Sequence, residues 1–508
     1  LSRSFDRILE VDVEGRTVRL QPGVVLDHLN EHLEPLDLFF GPDVATSSRA
    51  TLGGMANNNS SGARSIKYGM TLNSIRRLRA FLADGTLLDW GPMNREEVDR
   101  KRKSEDREGR ILDGLIRLVE SKREAIRKGF PNTLRRVGGY PLDNILNQWE
   151  ALEKGEADTF NPAKIFAGSE GTLGILTELT LDLVPLERNT ALLMIEYGDV
   201  LEALRSLPRI LEHSPSAVEL IDHNILGQAF NSPGLRDDVS ILTGRPNAVL
   251  VVEFQSSEAD ELTKKVESAF NALTRDLPEA KLSILLDRAD QKRVWNIRKA
   301  GLGMMMRMKG REKPCAFIED AAIPIDHLPH YVEDLFAFLA ERGLRAGAYA
   351  HASVGLLHIR PILNLYEDTG VGQLREVAEK SVELSLKYGG AFSGEHGDGF
   401  ARSEFLKVTH GEQVVEAFRE VKRLFDPDGL MNPGKIVDPY PMDRNLRYGG
   451  GYEGKEVETI FDYQEDGSFS NAVDLCSGVG QCRNRFVGVM CPSYMATRNE
   501  FHTTRARA

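Results

Sequence analysis

The pattern of the chain changes at about Ala191, and that change limits the fold more than any single motif does. Before it, strand and turn signals dominate. RILEVDVEGRTVRL reads as two strands around a Glu14-Gly15 turn, and a second hairpin turns at Asp84-Gly85. Val24 to Leu33 spaces its apolar residues at helical intervals, a passage rich in glycine, asparagine and serine runs from Gly41 to Gly69, and a charged helical insert is expected from about Asn94 to Lys128. IFAGSEGTLGILTELTLDLVP is read as a strand, a glycine-rich turn and a second strand. After Ala191 strands alternate with helices: ALLMIEY, a helix to about Leu211, AVELI, NAVLVVEF, a helix from Ala259 to Leu273, then KLSILL. Sheet strands separated by crossover helices predict an α+β domain with helices on one face. A long helix is expected through VWNIRKAGLGMMMRMKG, the same style continues to FDPDGLMNPGKI, and RYGGGYEGKE reads as a linker. No solenoid-type repeat is visible.

A length of 508 residues exceeds what one hydrophobic core serves, so two or three domains are expected. With 41% hydrophobic and 28% charged residues and a net charge of -12, the chain is neither disordered nor attractive to nucleic acid. No run reaches the roughly 18 to 20 apolar residues of a spanning helix, and the first residues lack the basic-then-apolar order of a signal peptide. A cytoplasmic protein is expected, with peripheral membrane contact left open. The start at Leu1 and the stop just after a cysteine cluster suggest a fragment of a longer protein.

Four motifs carry candidate chemistry. TLGGMANNNSSGARSIKYG has the glycines that bring a backbone close to a phosphate or a flat ring, yet it matches neither a Walker A loop nor a GxGxxG turn, and a surface loop fits it equally well. Gly168 to Gly174 has the same ambiguity. His351 and His358 lie seven apart around Gly355, and Glu395 and His396 sit between glycines, which suits a divalent-metal site with a base beside it; histidines that merely cap strands and turns are the alternative. Cys476-x5-Cys482-x8-Cys491-Pro492 is a widened form of the ferredoxin run C-x2-C-x2-C-x3-C-P without its second ligand, and three thiolates with His502 fit a zinc knuckle as well. Cys315 reads as a small core residue.

GPDVATSSRATLGGMANNNSSGARSIKYG, GYPLDNIL, AGSEGTLGI, HASVGLLHIRP, SGEHGDGFARSEFL and DPDGLMNPGKI follow one another in an order that resembles the FAD-linked D-2-hydroxyacid dehydrogenases of the vanillyl-alcohol-oxidase type, over roughly residues 8 to 440. The tail resembles the start of the iron–sulfur half of the large fused members. The resemblance implies an α+β protein: a PCMH-type FAD-binding domain over 1–190 whose first part precedes Leu1, a ferredoxin-like FAD-oxidase C-terminal substrate domain over 191–440, and a linker with the beginning of an iron–sulfur domain over 441–508.

It also implies roles. FAD would be held by Pro42, Asp43, Gly53, Gly54, Asn58, Asn59, Ser60, Ser61 and Gly62, by Gly168, Ser169, Glu170, Gly171, Thr172, Gly174 and Ile175, and by Asn432. His351, His358 and Glu395 match ligands of a divalent metal, zinc in the D-2-hydroxyglutarate enzymes, and His396 matches the base. Arg298 matches an arginine that grips the substrate carboxylate, with Lys309 and Lys313 as further positive charge. Cys476, Cys482 and Cys491 would ligate a [4Fe–4S] cluster of the full-length protein.

The implied reaction oxidises a D-2-hydroxyacid, with D-2-hydroxyglutarate slightly ahead of D-lactate, and passes electrons through the cluster to a quinone or another electron carrier. A homo-oligomer is expected. Two departures stand out: the strand AFIEDAAIP lacks the lysine of the smaller members, and the family's first FAD loop is absent, so FAD binding by this stretch alone is expected to be weak. A non-catalytic flavoprotein-like subunit and an alkylglycerone-phosphate-synthase-like enzyme are the competing readings.

Overall fold

The computed structural model describes residues 4–305, 308, 310–476, 478–483 and 491–507. The first domain is built on a five-stranded antiparallel sheet of β1 (Ile8–Asp12), β2 (Thr17–Leu20), β3 (Ile75–Phe81), β4 (Leu87–Trp90) and β5 (Ile175–Asp182), in the order β1-β2-β5-β3-β4. Both hairpins expected from the sequence are present. On β3, Ile75, Leu78 and Ala80 turn inward, and helix Arg107–Ser121 lays Ile111, Leu112, Leu115, Ile116 and Val119 into the same core. Its first turn is fixed by Asp106, whose Oδ1 accepts from the Gly109 N–H at 2.6 Å.

Two local expectations fail. IFAG is not a strand: Asn161 Oδ1 accepts from the Ala163 N–H at 3.1 Å, Pro162 follows, and Pro162–Phe166 winds as a 3-10 turn, so the strand begins only at Ile175. The glycine-rich passage is not all loop. Leu52–Asn58 is a helix, opened by Thr51 Oγ1 accepting from the Gly54 N–H at 3.3 Å and closed by Asn59 in the left-handed region at φ 60°. A Cβ at Gly53 would come within 2.3 Å of the Pro22 Cβ, so this helix presses on the loop after β2 at a distance only glycine allows.

The second domain is an eight-stranded sheet. Its strands are β6 (Asn189–Tyr197), β7 (Ala217–Asp222), β8 (Ala248–Ser256), β9 (Lys281–Leu285), β10 (Lys313–Pro314), β11 (Ala321–Ala322), β12 (Ala346–His351) and β13 (Leu356–Leu363). The order β9-β6-β8-β7 is the ferredoxin-like arrangement of a βαββαβ unit, as expected. A second such unit follows: β11, helix Leu328–Glu341, β12, β13, helix Asp368–Lys387, and a bridge from Ala322 to Ala391. The two units join edge to edge where β7 pairs with β12, with Tyr349 opposite Ile221 and His351 opposite Glu219.

One face of this sheet is covered by four helical segments. Leu193, Leu220, Leu250, Val252, Ala350, Leu357 and Ile359 pack there against apolar residues of Val200–Leu211, Ala259–Asp276, Leu328–Glu341 and Asp368–Lys387. The opposite face is split. Helices His223–Asn231 and Arg288–Met305 cover one half, and the other half meets the first domain, where Arg64 donates to both oxygens of Glu253 at 2.7 and 2.8 Å.

The chain then returns: helix Glu412–Phe425 buries Val414, Val415, Phe418, Val421 and Phe425 in the core of the first domain. Phe418 packs on Tyr140, and Phe425 on Trp90 and Phe166, with ring centroids 5.6 to 5.7 Å apart. Among the described residues, no helix is long and apolar enough to cross a membrane. Phe418→Ala is expected to cost about 3–5 kcal/mol and to lower the first unfolding transition in a denaturant titration; an unchanged transition would mean that the returning helix adds nothing to that core.

Candidate functional site

Strand period places the site. On the sheet face turned from the four helices, β7 presents Glu219, β12 presents Tyr349 and His351, and β13 presents His358 and Arg360, because their neighbours in sequence point to the apolar core. The register then makes the contacts. His351 faces Glu219 directly, with Nδ1 2.6 Å from Oε1, and Tyr349 faces His358, with ring centroids 4.5 Å apart.

Glu395 and His396 arrive on a loop pinned by the buried Asp320. Its carboxylate accepts from the Glu395 N–H and the His396 N–H, each at 2.9 Å, and from the Ser393 hydroxyl at 2.7 Å. Three imidazoles then converge on one oxygen: Glu395 Oε1 lies 3.4 Å from His351 Nε2, 3.3 Å from His358 Nε2 and 3.5 Å from His396 Nε2. The other oxygen, Oε2, accepts from Arg135 Nη1 at 2.8 Å.

Each outer nitrogen is spoken for. His351 Nδ1 donates to Glu219, His358 Nδ1 to the Glu319 carbonyl at 2.7 Å, and His396 Nδ1 faces the Glu319 carboxylate at 3.2 Å. This fixes the tautomers of His351 and His358 so that Nε2 lone pairs point at the shared centre. Their ligand atoms and a Glu395 oxygen lie within 4.8 Å of one another, and it is the one such group among the described residues. Two imidazole nitrogens, that of His351 once its extra proton has left, and a carboxylate oxygen, all buried and oriented by outer partners, fit a divalent cation with an open position.

The charges are set by these contacts. Burial disfavours a charged His351, but Glu219 and Glu395 outweigh it and raise the imidazole to about 9. Burial dominates at His358 and lowers it to about 4. Burial is likewise overcome at Glu395, held well below the usual carboxylate range by Arg135 and then His351, and at Glu319, brought to about 2 by the His396 hydrogen bond and Arg402. His396, whose side chain is partly exposed, is raised because Asp320, Glu319 and Glu395 outweigh its desolvation.

The two glycine segments meet beside this cluster. The Gly168 N–H donates to the Ala56 carbonyl, the Glu170 N–H to the Asn57 carbonyl and the Ser169 hydroxyl to the Asn57 side chain, at 3.1, 2.8 and 3.0 Å. Asn58 donates to the His396 carbonyl at 2.8 Å, so the end of the Leu52–Asn58 helix touches the histidine loop. Asn59 is spent on the Leu72 N–H, Ser60 on Asn58, and Asp43 on Arg64.

Glu170 accepts from the Asp398 and Gly399 N–H groups and Asn432 donates to the Glu170 carbonyl, so both act as buckles between segments. Thr172 binds Tyr140 and the Ser169 carbonyl, and Ile175 opens β5, partly exposed. Pro42, Gly53, Gly54, Gly62, Gly171 and Gly174 contribute backbone. The Ser61 hydroxyl is buried with no hydrogen-bond partner among the described residues, a polar group left for a ligand.

Other candidates lie elsewhere. Arg298 reaches the site but is held there: its Nε and Nη2 both lie 2.9 Å from Glu219 Oε2, and its guanidinium stacks over Tyr349 at 4.4 Å. Lys313 donates to the Met308 carbonyl, and Lys309 lies outside the described residues. Cys476 is exposed, Cys482 sits in the short turn Gln481–Arg483, and buried Cys491 directs its thiol to the His502 carbonyl at 3.1 Å. A cavity of about 310 Å³ separates this tail from the first domain, between Gly23, Ser48, Arg49 and Arg483, Tyr494, Arg498. Cys315 is buried, as expected.

Glu219, Asp320, Glu319 and Arg135 are missing from the sequence reading. Glu219 carried a signal, a lone acid in the apolar strand AVELI; Arg135, in the doubled arginine of NTLRRVGGY, carried none.

Comparison with known proteins bears on the two domains. A family model described as "FAD linked oxidases, C-terminal domain" matches residues 186–436, and one described as "FAD binding domain" matches residues 1–91. The D-2-hydroxyglutarate dehydrogenases of Pantoea ananatis and Escherichia coli K12 are each 32% identical to the chain, over all of it and 50% of their own length. The chain thus spans about half the length of these curated relatives. A D-lactate dehydrogenase of Anaerostipes hadrus is 25% identical over 85% of the chain and 78% of its own length.

Among solved structures, 4-ethylphenol oxidase from Gulosibacter chungangensis overlays with a TM-score of 0.58 at 13% identity, covering 87% of this chain and 80% of that one. An alkyldihydroxyacetonephosphate synthase overlays with a TM-score of 0.53 at 16% identity, covering 85% and 66%. These two likenesses concern the fold, a PCMH-type FAD-binding domain joined to an FAD-oxidase C-terminal domain. By these matches the chain carries an FAD binding domain and an FAD-linked oxidase C-terminal domain, and it is similar to D-2-hydroxyglutarate dehydrogenases over half of their length.

Proposed function

We propose that the chain is the flavin half of a dehydrogenase that oxidises a D-2-hydroxyacid to the 2-oxoacid, with D-2-hydroxyglutarate the first substrate to test. The observation that carries this reading is the convergence of three imidazoles on Glu395 Oε1, joined to the glycine-rich segment by the Asn58 to His396 hydrogen bond. His351, His358 and Glu395 would hold a divalent cation, zinc being the candidate, which when bound polarises the substrate hydroxyl and lowers its pKa. The glycine segments, with the unpartnered Ser61 hydroxyl, would hold FAD, which when bound accepts the hydride from Cα.

The remaining steps belong to the chain's own side chains. His396 takes the hydroxyl proton on Nε2, while Glu319, facing Nδ1, stabilises the imidazolium that results. Arg298 stands beside His351 through Glu219, and a substrate carboxylate brought to the metal would meet its guanidinium. Loss of the hydroxyl proton and of the Cα hydride leaves the C=O of the oxoacid, so atoms and electrons balance. Cys476, Cys482 and Cys491 would hold a [4Fe–4S] cluster in the longer protein, a group that when bound supplies one-electron transfer toward a quinone or another carrier.

The deciding experiment records the visible absorption of the full-length protein without oxygen while D-2-hydroxyglutarate and then D-lactate are added. Bleaching of a flavin band is expected with one of them; a flavin indifferent to both acids would refute the proposed reaction. His396→Asn is expected to slow flavin reduction by about 10²–10⁴-fold with flavin still bound, and unaltered bleaching would remove His396 as the base.

Metal uptake should depend on pH in a defined direction. In the metal-free protein His351 keeps its extra proton below about 9, and a cation must displace that proton from Nε2. Affinity for Zn²⁺ is therefore expected to rise about tenfold per pH unit up to that value and then level off. A competition titration with a flat profile between pH 6 and 8 would show that no extra proton on His351 is displaced by the cation.

A further inference from the structure

Arg135 is the arginine that meets the metal-binding carboxylate, and it comes from the other domain. Its side chain is 1% exposed, and each nitrogen has a separate partner. Nε donates to the Ser65 hydroxyl at 2.7 Å, Nη1 to Glu395 Oε2 at 2.8 Å, and Nη2 to the Gly62 carbonyl. Two of these partners, Gly62 and Ser65, belong to the glycine-rich segment. A Cβ on Gly62 would lie 1.2 Å from the Asp43 carbonyl oxygen, so that turn is packed as closely as a backbone permits and its carbonyl cannot swing away. The guanidinium is thus held at two points before Glu395 is considered.

We propose that Arg135 is a positioning residue for the metal centre: by occupying Glu395 Oε2 it makes Glu395 a one-oxygen ligand and aims Oε1 at the point where the imidazole nitrogens meet. The inference rests on the metal reading given above. A carboxylate free at both oxygens can rotate and chelate a cation through both, filling a coordination position that a substrate hydroxyl needs. A buried charge-assisted hydrogen bond to Oε2 opposes that rotation, and the planar fork of arginine is what three partners in different directions require. Lysine brings one point charge and cannot serve all three. Because Gly62 and Ser65 lie in the flavin-holding segment, the same side chain also registers the metal centre against that segment.

The test uses Co²⁺ as the probe, added to the metal-depleted full chain, with affinity taken from competition and the visible ligand-field bands reporting coordination. Wild type is expected to bind Co²⁺ and to lose it in His351→Ala. Arg135→Met is expected to shift Co²⁺ affinity about 10–100-fold and to alter the bands, as Glu395 is no longer held to one oxygen. Arg135→Lys should fall between the two in affinity, and it supplies the answer if the methionine variant does not fold. Wild-type affinity and an unchanged spectrum in either folded variant would overturn the positioning role while leaving the metal reading intact. A wild type that takes up no Co²⁺ would overturn the metal reading, and the role of Arg135 with it.

Discussion

A carboxylate removed from water must be met by positive charge or lose its own, and in this molecule that demand falls on Glu395. One of its oxygens meets Arg135 and the other meets three imidazole nitrogens. The remaining acids serve this centre indirectly. Asp320 holds the backbone that carries Glu395 and His396, and Glu219 and Glu319 turn the imidazoles so that their inner nitrogens face it. Since the neutralising arginine comes from the first domain and the histidines from the second, the centre is complete only when the two are docked. Arg64 and Glu253 form a second ionic link across the same junction.

The shape of the second domain explains where such a centre can sit. Two βαββαβ units placed edge to edge give a sheet with helices along one face and a seam at its middle, where β7 runs beside β12. Polar residues are tolerated on the opposite face only where another polar surface meets it, and that is the half turned to the first domain. Strand period then delivers Glu219, Tyr349, His351, His358 and Arg360 to one side without any of them disturbing the apolar layer behind.

Much of this was legible because it is local. Strands and helices of the second domain follow from apolar alternation, and His351, His358, Glu395 and His396 stand out by chemistry. Local grammar failed where a cap outweighed a pattern, as at Asn161-Pro162, or where glycines joined a helix, as at Gly53-Gly54. The duplication of the βαββαβ unit escaped notice because strands as short as Ala321–Ala322 leave almost no periodic trace. Arg135 and Glu219 act across 260 and 132 residues of chain respectively, and nothing in the spacing of a sequence records a partner that distant. Arg298 was expected to grip the substrate carboxylate; the fold shows it braced by Glu219 on β7.

The returning helix Glu412–Phe425 has a consequence for how the molecule is made. The chain leaves the ribosome from its N-terminus, so the first domain emerges with Trp90, Tyr140 and Phe166 facing a gap that is filled only after more than 200 further residues have been synthesised. The second domain, contiguous in sequence from β6 to helix Asp368–Lys387, can complete its own core earlier. Folding order is therefore inverted relative to chain order: the domain that comes out first closes last, and during that interval its exposed aromatic surface is the part of the nascent protein most in need of a chaperone.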